Sequence, residues 1–503
     1  MATAPEEPSL WTVHALDIHG GAPEAFLHAR DADLLGLHPL DRVHIFASSP
    51  GRSATAIVSI AGGFAQPGHV GASAELWTTL RLEPGQRVRL EPAPRPKSVH
   101  AIRRKLDGAR LDAADIQLII QDIGRASLSP VEITAWACAV QVHGMDPDET
   151  AACIQAMVEG GDRIHFRKGP VLDVHSIGGV PGNKYAPITV SIAAANGVII
   201  PKTSSRAVSS ACGTADFMEV LTPVALSAGR VRDITERIGA TLCWGGAVNL
   251  APADDAIIRV EYPLLLDPPS QIIASVLAKK LAVGTAKVLI DLPAGRGAKV
   301  SNDDATALAR QFTDVGQRVG LEVQCVITDG SQPIGRAIGP TLEAREALQV
   351  LEGATQPVAL VDKACMLAGR LLEMANKTPP GTGTALARTT LANGQALNKF
   401  REIITAQGGN GAITANELQA GPYTVEYLSP ATGTILRIDN KDLSQVARIA
   451  GSPHDHGAGL LLTAQVNDHV TEGEPLMTIH SGNARHLADA LVTATQEKPF
   501  TIG

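Results

Sequence analysis

From Pro170 onward the chain repeatedly runs a short apolar stretch into a glycine- or serine-rich turn and then into a segment of helical period. GPVLDVHSIGG, YAPITVSIAAANG and VIIPKTSS follow one another, and AKVLIDLPAG and LEVQCVITDG flank the helical DDATALARQFTDVGQRVG. Nearly continuous apolar strands must be covered on both faces, and helices alternating with them supply the cover. The pattern therefore predicts a mostly parallel sheet whose ligands sit beyond the carboxyl ends of its strands. Two unusual loops, after Val174 and after Pro201, leave such ends.

The flanking sequence has other periods. Between Trp11 and about Glu91, β-prone runs (RVHIF, TAIVSI, RVRLEP) alternate with Gly and Pro turns, and PAPRPKS then reads as a linker. From Val99 to about Asp162 the period is helical, with Ile116, Ile119, Ile120 and Ile123 on one face. Ser129-Pro130-Val131-Glu132 and Asp146-Pro147-Asp148-Glu149 each place a capping side chain, a first-turn proline and a Glu three residues after the cap. The tail from about Tyr423 returns to short strands (GTILRI, GAGLLLTAQV, PLMTIHSG). The fold class expected is α/β, a helical domain plus a large mostly parallel α/β domain, with small β-rich N-terminal and C-terminal domains. The expected boundaries are 1–96, 97–168 (joined by about 256–283), 169–422 and 423–503.

With 503 residues, 45% hydrophobic and 19% charged, the chain can bury a large core. A formal charge of −8 argues against nucleic acid as a partner, because a duplex binder needs a basic face. MATAPEEPSLW carries acids where a secretory signal needs bases, and no apolar run is long enough to span a bilayer, so a cytoplasmic protein without a membrane partner is expected. Cys138, Cys153, Cys212, Cys243, Cys325 and Cys365 are widely spaced with no CxxC pair, which fits reduced thiols better than disulfides or zinc.

LDVHSIGGVPGNK ends a buried strand on His175 and Ser176 and follows them with bare backbone, a common way to present N–H groups to an anion. The second loop, from Lys202 to Thr214, holds six hydroxyls, two cations and a glycine before the helical ADFMEVL, again suited to a phosphate or a sugar. A helix-capping Ser/Thr connection and a satisfied core histidine remain the plain alternatives. PAGRGAKV lacks the GK[ST] ending of a phosphate-binding P-loop, so ATP binding is not expected there. Ser275 and Lys279 are four apart in ASVLAKK and share a helical face.

HSIGGVPGNK, PKTSSRAVSSACGTADFMEVL and ASVLAKK together resemble the pyrimidine-nucleoside phosphorylase family, and within it the longer AMP phosphorylase branch of archaea, over about Arg103 to Gly482. The resemblance implies phosphorolysis, in which inorganic phosphate attacks the anomeric carbon of a ribosyl unit and the base departs, with no cofactor and no metal. By this likeness Ser176, Ser204 and Thr214 hold phosphate. Gly179, Ser205, Arg206, Ala207, Val208, Ser209, Ser210 and Thr214 line the nucleotide, Ser275, Lys279 and Lys299 complete its contacts, and His175 lies against substrate. Asp267, in LLLDPPSQ, matches the branch's proton donor, although Asp before two prolines also reads as a helix N-cap. A homodimer or higher homo-oligomer is implied as well.

Three positions depart from the pyrimidine pattern. Val174 stands where a phosphate-binding lysine precedes the His-Ser pair, with Lys184 or Lys202 as candidate replacements; only Arg259 remains of the Arg-Asp pair that grips a pyrimidine; and Tyr185 replaces a small hydroxyl residue, narrowing that end of the pocket. The leading expectation is conversion of a ribonucleoside 5′-monophosphate and phosphate to free base and ribose 1,5-bisphosphate, with thymidine or uridine phosphorolysis as the alternative. An anthranilate-type phosphoribosyltransferase would need acidic residues for magnesium, and Asp254-Asp255 and Asp303-Asp304 read more simply as helix-start charges. VNDHVTEGEPLMTI looks like half of a biotinyl or lipoyl carrier but lacks the modifiable lysine hairpin, so the tail is read as structural.

Overall fold

The computed structural model describes residues 10–47, 51–63, 65–207 and 210–503. The chain divides into two units: one runs to Gly160 and takes in Pro252–Pro268, and the other comprises Gly161–Ala251 and Pro269–Gly503.

The first unit opens with a closed barrel of six described strands, in the order Leu10–Ala15, His69–Ala72, Glu24–Leu27, Ser53–Ile60, Arg42–Ala47 and Arg87–Ala93. Apolar residues fill its interior at every second position, as Trp11 and Val13 or Val43 and Ile45 do, which is the period of a pleated strand. Short helices Ala29–Leu35 and Ala74–Leu80 lie between its strands, and helices Ser98–Leu106, Ala113–Gly124, Pro130–His143, Pro147–Glu159 and Pro252–Glu261 follow it. Ile116, Ile119, Ile120 and Ile123 are buried together. Both sequence-read starts close capping boxes, Ser129 with Glu132 and Asp146 with Glu149, each cap contributing about 1 kcal/mol. Buried Arg42 ties barrel to helices, donating to the Ser127 carbonyl at 2.9 Å and pairing with Glu132.

In the second unit, strands Glu322–Asp329, Lys287–Ala294 and Leu172–Ser176 are parallel neighbours, with His175 opposite Ile290 and Ser176 opposite Asp291. A parallel bridge from Val171 to Ile199 joins them to the parallel pair Ile200–Ser204 and Ala240–Trp244. The strand ends at Ser176, Ser204 and Ala294 therefore open on one side of the sheet. Helix Tyr185–Ala195 is apolar all round and buried from Tyr185 to Ala194 against helices Val358–Met374 and Gln395–Gln407. Tyr185 thus belongs to this core, under the ammonium of Lys363 at 5.7 Å from its ring, rather than lining a pocket. Pro269–Ala282, expected beside the helical segment, is held in the second unit by the buried pairing of Lys280 with Asp173.

The tail pairs Tyr423–Leu428, Pro475–Ser481 and Gly459–Leu462 antiparallel, and this sheet takes in Ala337–Ile338 of the preceding body. Gly433–Ile438 pairs with His469–Val470 and Phe500–Ile502, and helices Asn440–Ile449 and Ala484–Glu497 pack together. No helix among the described residues is long and apolar enough to cross a membrane.

Candidate active site

The site is built at the carboxyl ends of Leu172–Ser176 and Ile200–Ser204. Below it, Lys280 on helix Pro269–Ala282 donates to Asp173 Oδ2 at 2.6 Å, to the Thr203 carbonyl at 3.1 Å and to Thr203 Oγ1 at 3.2 Å. Both charges are at most 1% exposed. A buried ion pair is tolerated where remaining protons find acceptors, and Thr203 supplies them. One lysine thus fixes two strands and a helix.

His175 follows, partly open to solvent but with Nδ1 enclosed and without a hydrogen-bond partner among the described residues. Burial, reinforced by Lys280, Lys202, Lys279 and Lys299, holds its imidazole well below the usual histidine range, so the ring is neutral at pH 7. A neutral ring amid four lysines is an environment suited to an anion. Ser176 Oγ accepts from Asn183 Nδ2 at 3.0 Å and Gly178 N–H at 3.4 Å, which folds the loop back over the strand end. Gly179 has φ of +85°, and a Cβ there would lie 2.6 Å from Lys299 Cγ and 3.0 Å from the Lys299 amide. Only glycine admits so close an approach, and it brings the 177–183 loop against the 295–300 loop.

The serine-rich loop is pinned by Asp216. Its Oδ2 accepts from the amides of Ala207 (2.7 Å) and Gly213 (2.8 Å), while Oδ1 takes Arg206 Nη1 at 3.2 Å. The loop crosses itself so tightly that a Cβ on Gly213 would lie 2.7 Å from the Arg206 carbonyl carbon. Arg206 donates both terminal nitrogens to Glu219 at 2.7 Å and stacks over Trp244, its guanidinium 4.8 Å from the ring centroid. The fork expected to grip the nucleotide is therefore committed to shaping the loop. Ser204 donates to the Cys243 carbonyl at 3.3 Å and Ser210 to the Cys212 carbonyl at 3.1 Å, while Ser205 is exposed and Thr214 half-buried at the start of Thr214–Glu219. Val208 and Ser209 lie outside the described residues.

Lys184 requires a correction. It is fully buried and donates to the carbonyls of Gly182 and Ile334, both at 2.9 Å, while pairing with Glu346 at 2.6 Å. Three donors meet three protein acceptors, so none is left for phosphate. Lys279 and Ser275 are half-buried on their helix and Lys299 is exposed. Asp267 is exposed in the first unit, its amide donating to Gln141 Oε1 at 3.4 Å. Asp254 and Asp255, like Asp303 and Asp304, stand in helix first turns as the sequence indicated. Among the described residues no group of three or more His, Cys, Asp or Glu is arranged to hold a metal.

Sequence reasoning missed Asp173, Lys280, Asp216 and Glu219. ASVLAKK signals the lysine pair but not which member turns inward, and Asp173 is hidden in an apolar run whose only cue is a charge where none belongs.

Residues 168–397 match the glycosyl transferase family a/b domain, residues 99–161 its helical bundle domain, and residues 434–499 the pyrimidine nucleoside phosphorylase C-terminal domain. AMP phosphorylase of Methanococcoides burtonii is 43% identical over 491 residues, covering 97% of this chain and 96% of that protein. AMP phosphorylase of Pyrococcus furiosus is 43% identical over 491 residues, with 97% of each chain covered. Anthranilate phosphoribosyltransferase from Thermus thermophilus shares the fold over 61% of this chain and 99% of its own, at a TM-score of 0.52 and 21% identity. With strand ends, glycine loop and serine-rich loop set in a chain that aligns with these relatives along nearly its whole length, the protein belongs to the AMP phosphorylase family.

Proposed function

We propose that the protein catalyses phosphorolysis of a ribonucleoside 5′-monophosphate, AMP or another, releasing free base and ribose 1,5-bisphosphate. The C1′–N bond breaks, a bond from C1′ to a phosphate oxygen forms, and the base departs with a proton. The observation that carries the reading is the neutral His175 amid Lys202, Lys279, Lys280 and Lys299 at the strand ends, in a chain 43% identical to AMP phosphorylases.

In this reading Ser176, Ser204 and Thr214 hold inorganic phosphate beneath the sugar. Gly179, the loop from Ser205 to Ser210, Thr214, Ser275, Lys279 and Lys299 receive the nucleotide. Arg206 and Asp216 set the loop's shape. His175, uncharged, offers substrate a hydrogen bond without repelling its base, and Asp267 donates the proton to the leaving base. Positioning an anion against an oxocarbenium-like carbon and neutralising the leaving group are the terms that lower such a barrier. No cofactor enters the scheme, inorganic phosphate being a co-substrate. The assembly is read as a homodimer or larger homo-oligomer. Exposed Val131 and Val142 on Pro130–His143, 63% and 74% accessible, support an apolar contact there.

The test is incubation of purified protein with phosphate and a panel of nucleosides and their 5′-monophosphates, following base release. Release from monophosphates is expected; release confined to unphosphorylated nucleosides overturns the proposal. Asp267→Asn is expected to slow release at least a hundredfold with unchanged folding.

A further inference from the structure

We propose that Lys202 is the cation that holds the attacking inorganic phosphate, occupying sideways, on the neighbouring strand, the place vacated at Val174. The inference rests on the phosphorolysis reading for the identity of the anion, but its observations are separate.

The first is register. The Val171–Ile199 bridge joins the two parallel strands where they begin, and from there Val174 and Lys202 are each three residues on, each two residues before the serine, Ser176 or Ser204, that ends its own strand. Residues two apart on one strand share a face. Lys202 therefore lies on the same face of its strand as Ser204, one of the serines assigned to phosphate.

The second is an unsatisfied cation. Lys202 is 3% exposed, and among the described residues Nζ reaches one acceptor, the Thr203 carbonyl at 2.8 Å. Three donors with one acceptor contrast with Lys184 and Lys280, each of which meets three. An ammonium so placed wants an anion, because a buried charge is stable only when paired. The titratable groups near enough to act on its charge are Asp173 and His175 on the Leu172–Ser176 strand, Cys243 on Ala240–Trp244 and Lys280 on its helix. Asp173, the carboxylate in this set, already bonds Lys280 at 2.6 Å. Burial and Lys280 push the Lys202 ammonium down to about 7, so the free protein carries this charge only in part at neutral pH, and a bound phosphate draws a proton in.

The experiment is calorimetric titration of the full chain with inorganic phosphate alone, at pH 7.5 in two buffers of different ionisation enthalpy, and separately with AMP alone. Wild type is expected to take up protons on binding phosphate. Lys202→Met is expected to weaken phosphate about tenfold or more, to lose that part of the proton uptake, and to leave the AMP dissociation constant within twofold. Lys202→Gln, which keeps a donor for the Thr203 carbonyl, is read in the same way should the methionine variant not fold. Unchanged phosphate affinity, equal weakening of phosphate and AMP, or proton uptake identical in wild type and variant each overturns the assignment. Turnover assays on the same samples separate the two readings: Lys202-dependent phosphate binding without base release sinks the phosphorolysis proposal alone, and base release with Lys202-independent binding sinks this one alone.

Discussion

Replacing Asp173 by Asn tests whether the site's foundation is electrostatic. Asp173 and Lys280 are 2.6 Å apart and at most 1% exposed, so the substitution strands an ammonium that keeps only Thr203 as partner. Losing one member of a buried pair costs about 3–5 kcal/mol, whereas replacing both by apolar groups is often close to neutral. Since Lys280 retains two oxygen acceptors, the lower end applies, about 3 kcal/mol for Asp173→Asn. Lys280→Met alone leaves the carboxylate buried and is expected to cost a similar amount, while the double variant should cost well under the sum, a coupling of about 2 kcal/mol or more. The assay is guanidinium unfolding of the four proteins, followed by a probe of the second unit, with refolding checked. Additive losses would refute the idea that the pair is one unit. So would a single-variant loss below about 1 kcal/mol.

Three further outcomes are expected. Lys184→Met should destabilise the fold by about 3 kcal/mol, by leaving the Glu346 carboxylate without its cation and with only the amides of Arg336 and Ala337, yet leave the KM for phosphate unchanged in protein that folds; a selective rise in that KM would return Lys184 to the anion site. Arg206→Lys removes the two-point grip on Glu219 and the stacking on Trp244, so the KM for AMP should rise about tenfold while that for phosphate moves little. Burial raises the Glu343 carboxyl to about 7 against an unfolded value near 4.5, so the folded state binds the extra proton between these limits and its stability falls as pH rises through them. Glu343→Gln should abolish that slope, measured as the difference in unfolding midpoint between pH 5 and pH 8, and an unaltered slope would assign it to another group.

Much of the framework was legible because it is local. Ser129 and Asp146 announce their capping boxes within four residues, the isoleucines of Ala113–Gly124 show their face through spacing alone, and the strand–glycine–helix alternation fixes which loops leave which strand ends. What stayed hidden depends on distant partners. Lys184 follows a glycine-rich turn, as an anion-binding lysine does, and nothing nearby reveals that Ile334 and Glu346, some 150 residues on, absorb its protons. Arg206 looked free for a ligand because Glu219 is placed to meet it only once the loop closes on Asp216. The closed barrel was likewise read no further than β-rich, since its closure rests on Leu10–Ala15 meeting His69–Ala72 and Arg87–Ala93 across long separations.

If the substrate is a 5′-monophosphate, as proposed, its 5′-phosphate is a handle whose binding energy orients the ribose. The most direct measurement is therefore kcat/KM for AMP against adenosine with the same protein at saturating inorganic phosphate, with the sugar product identified by phosphorus NMR. AMP is expected to be favoured at least about a hundredfold, equivalent to a charge-assisted contact or two of about 1.5–3 kcal/mol each, and to yield ribose 1,5-bisphosphate in step with adenine. Equal efficiency with both substrates, or ribose 1-phosphate from adenosine as the main product, would contradict it.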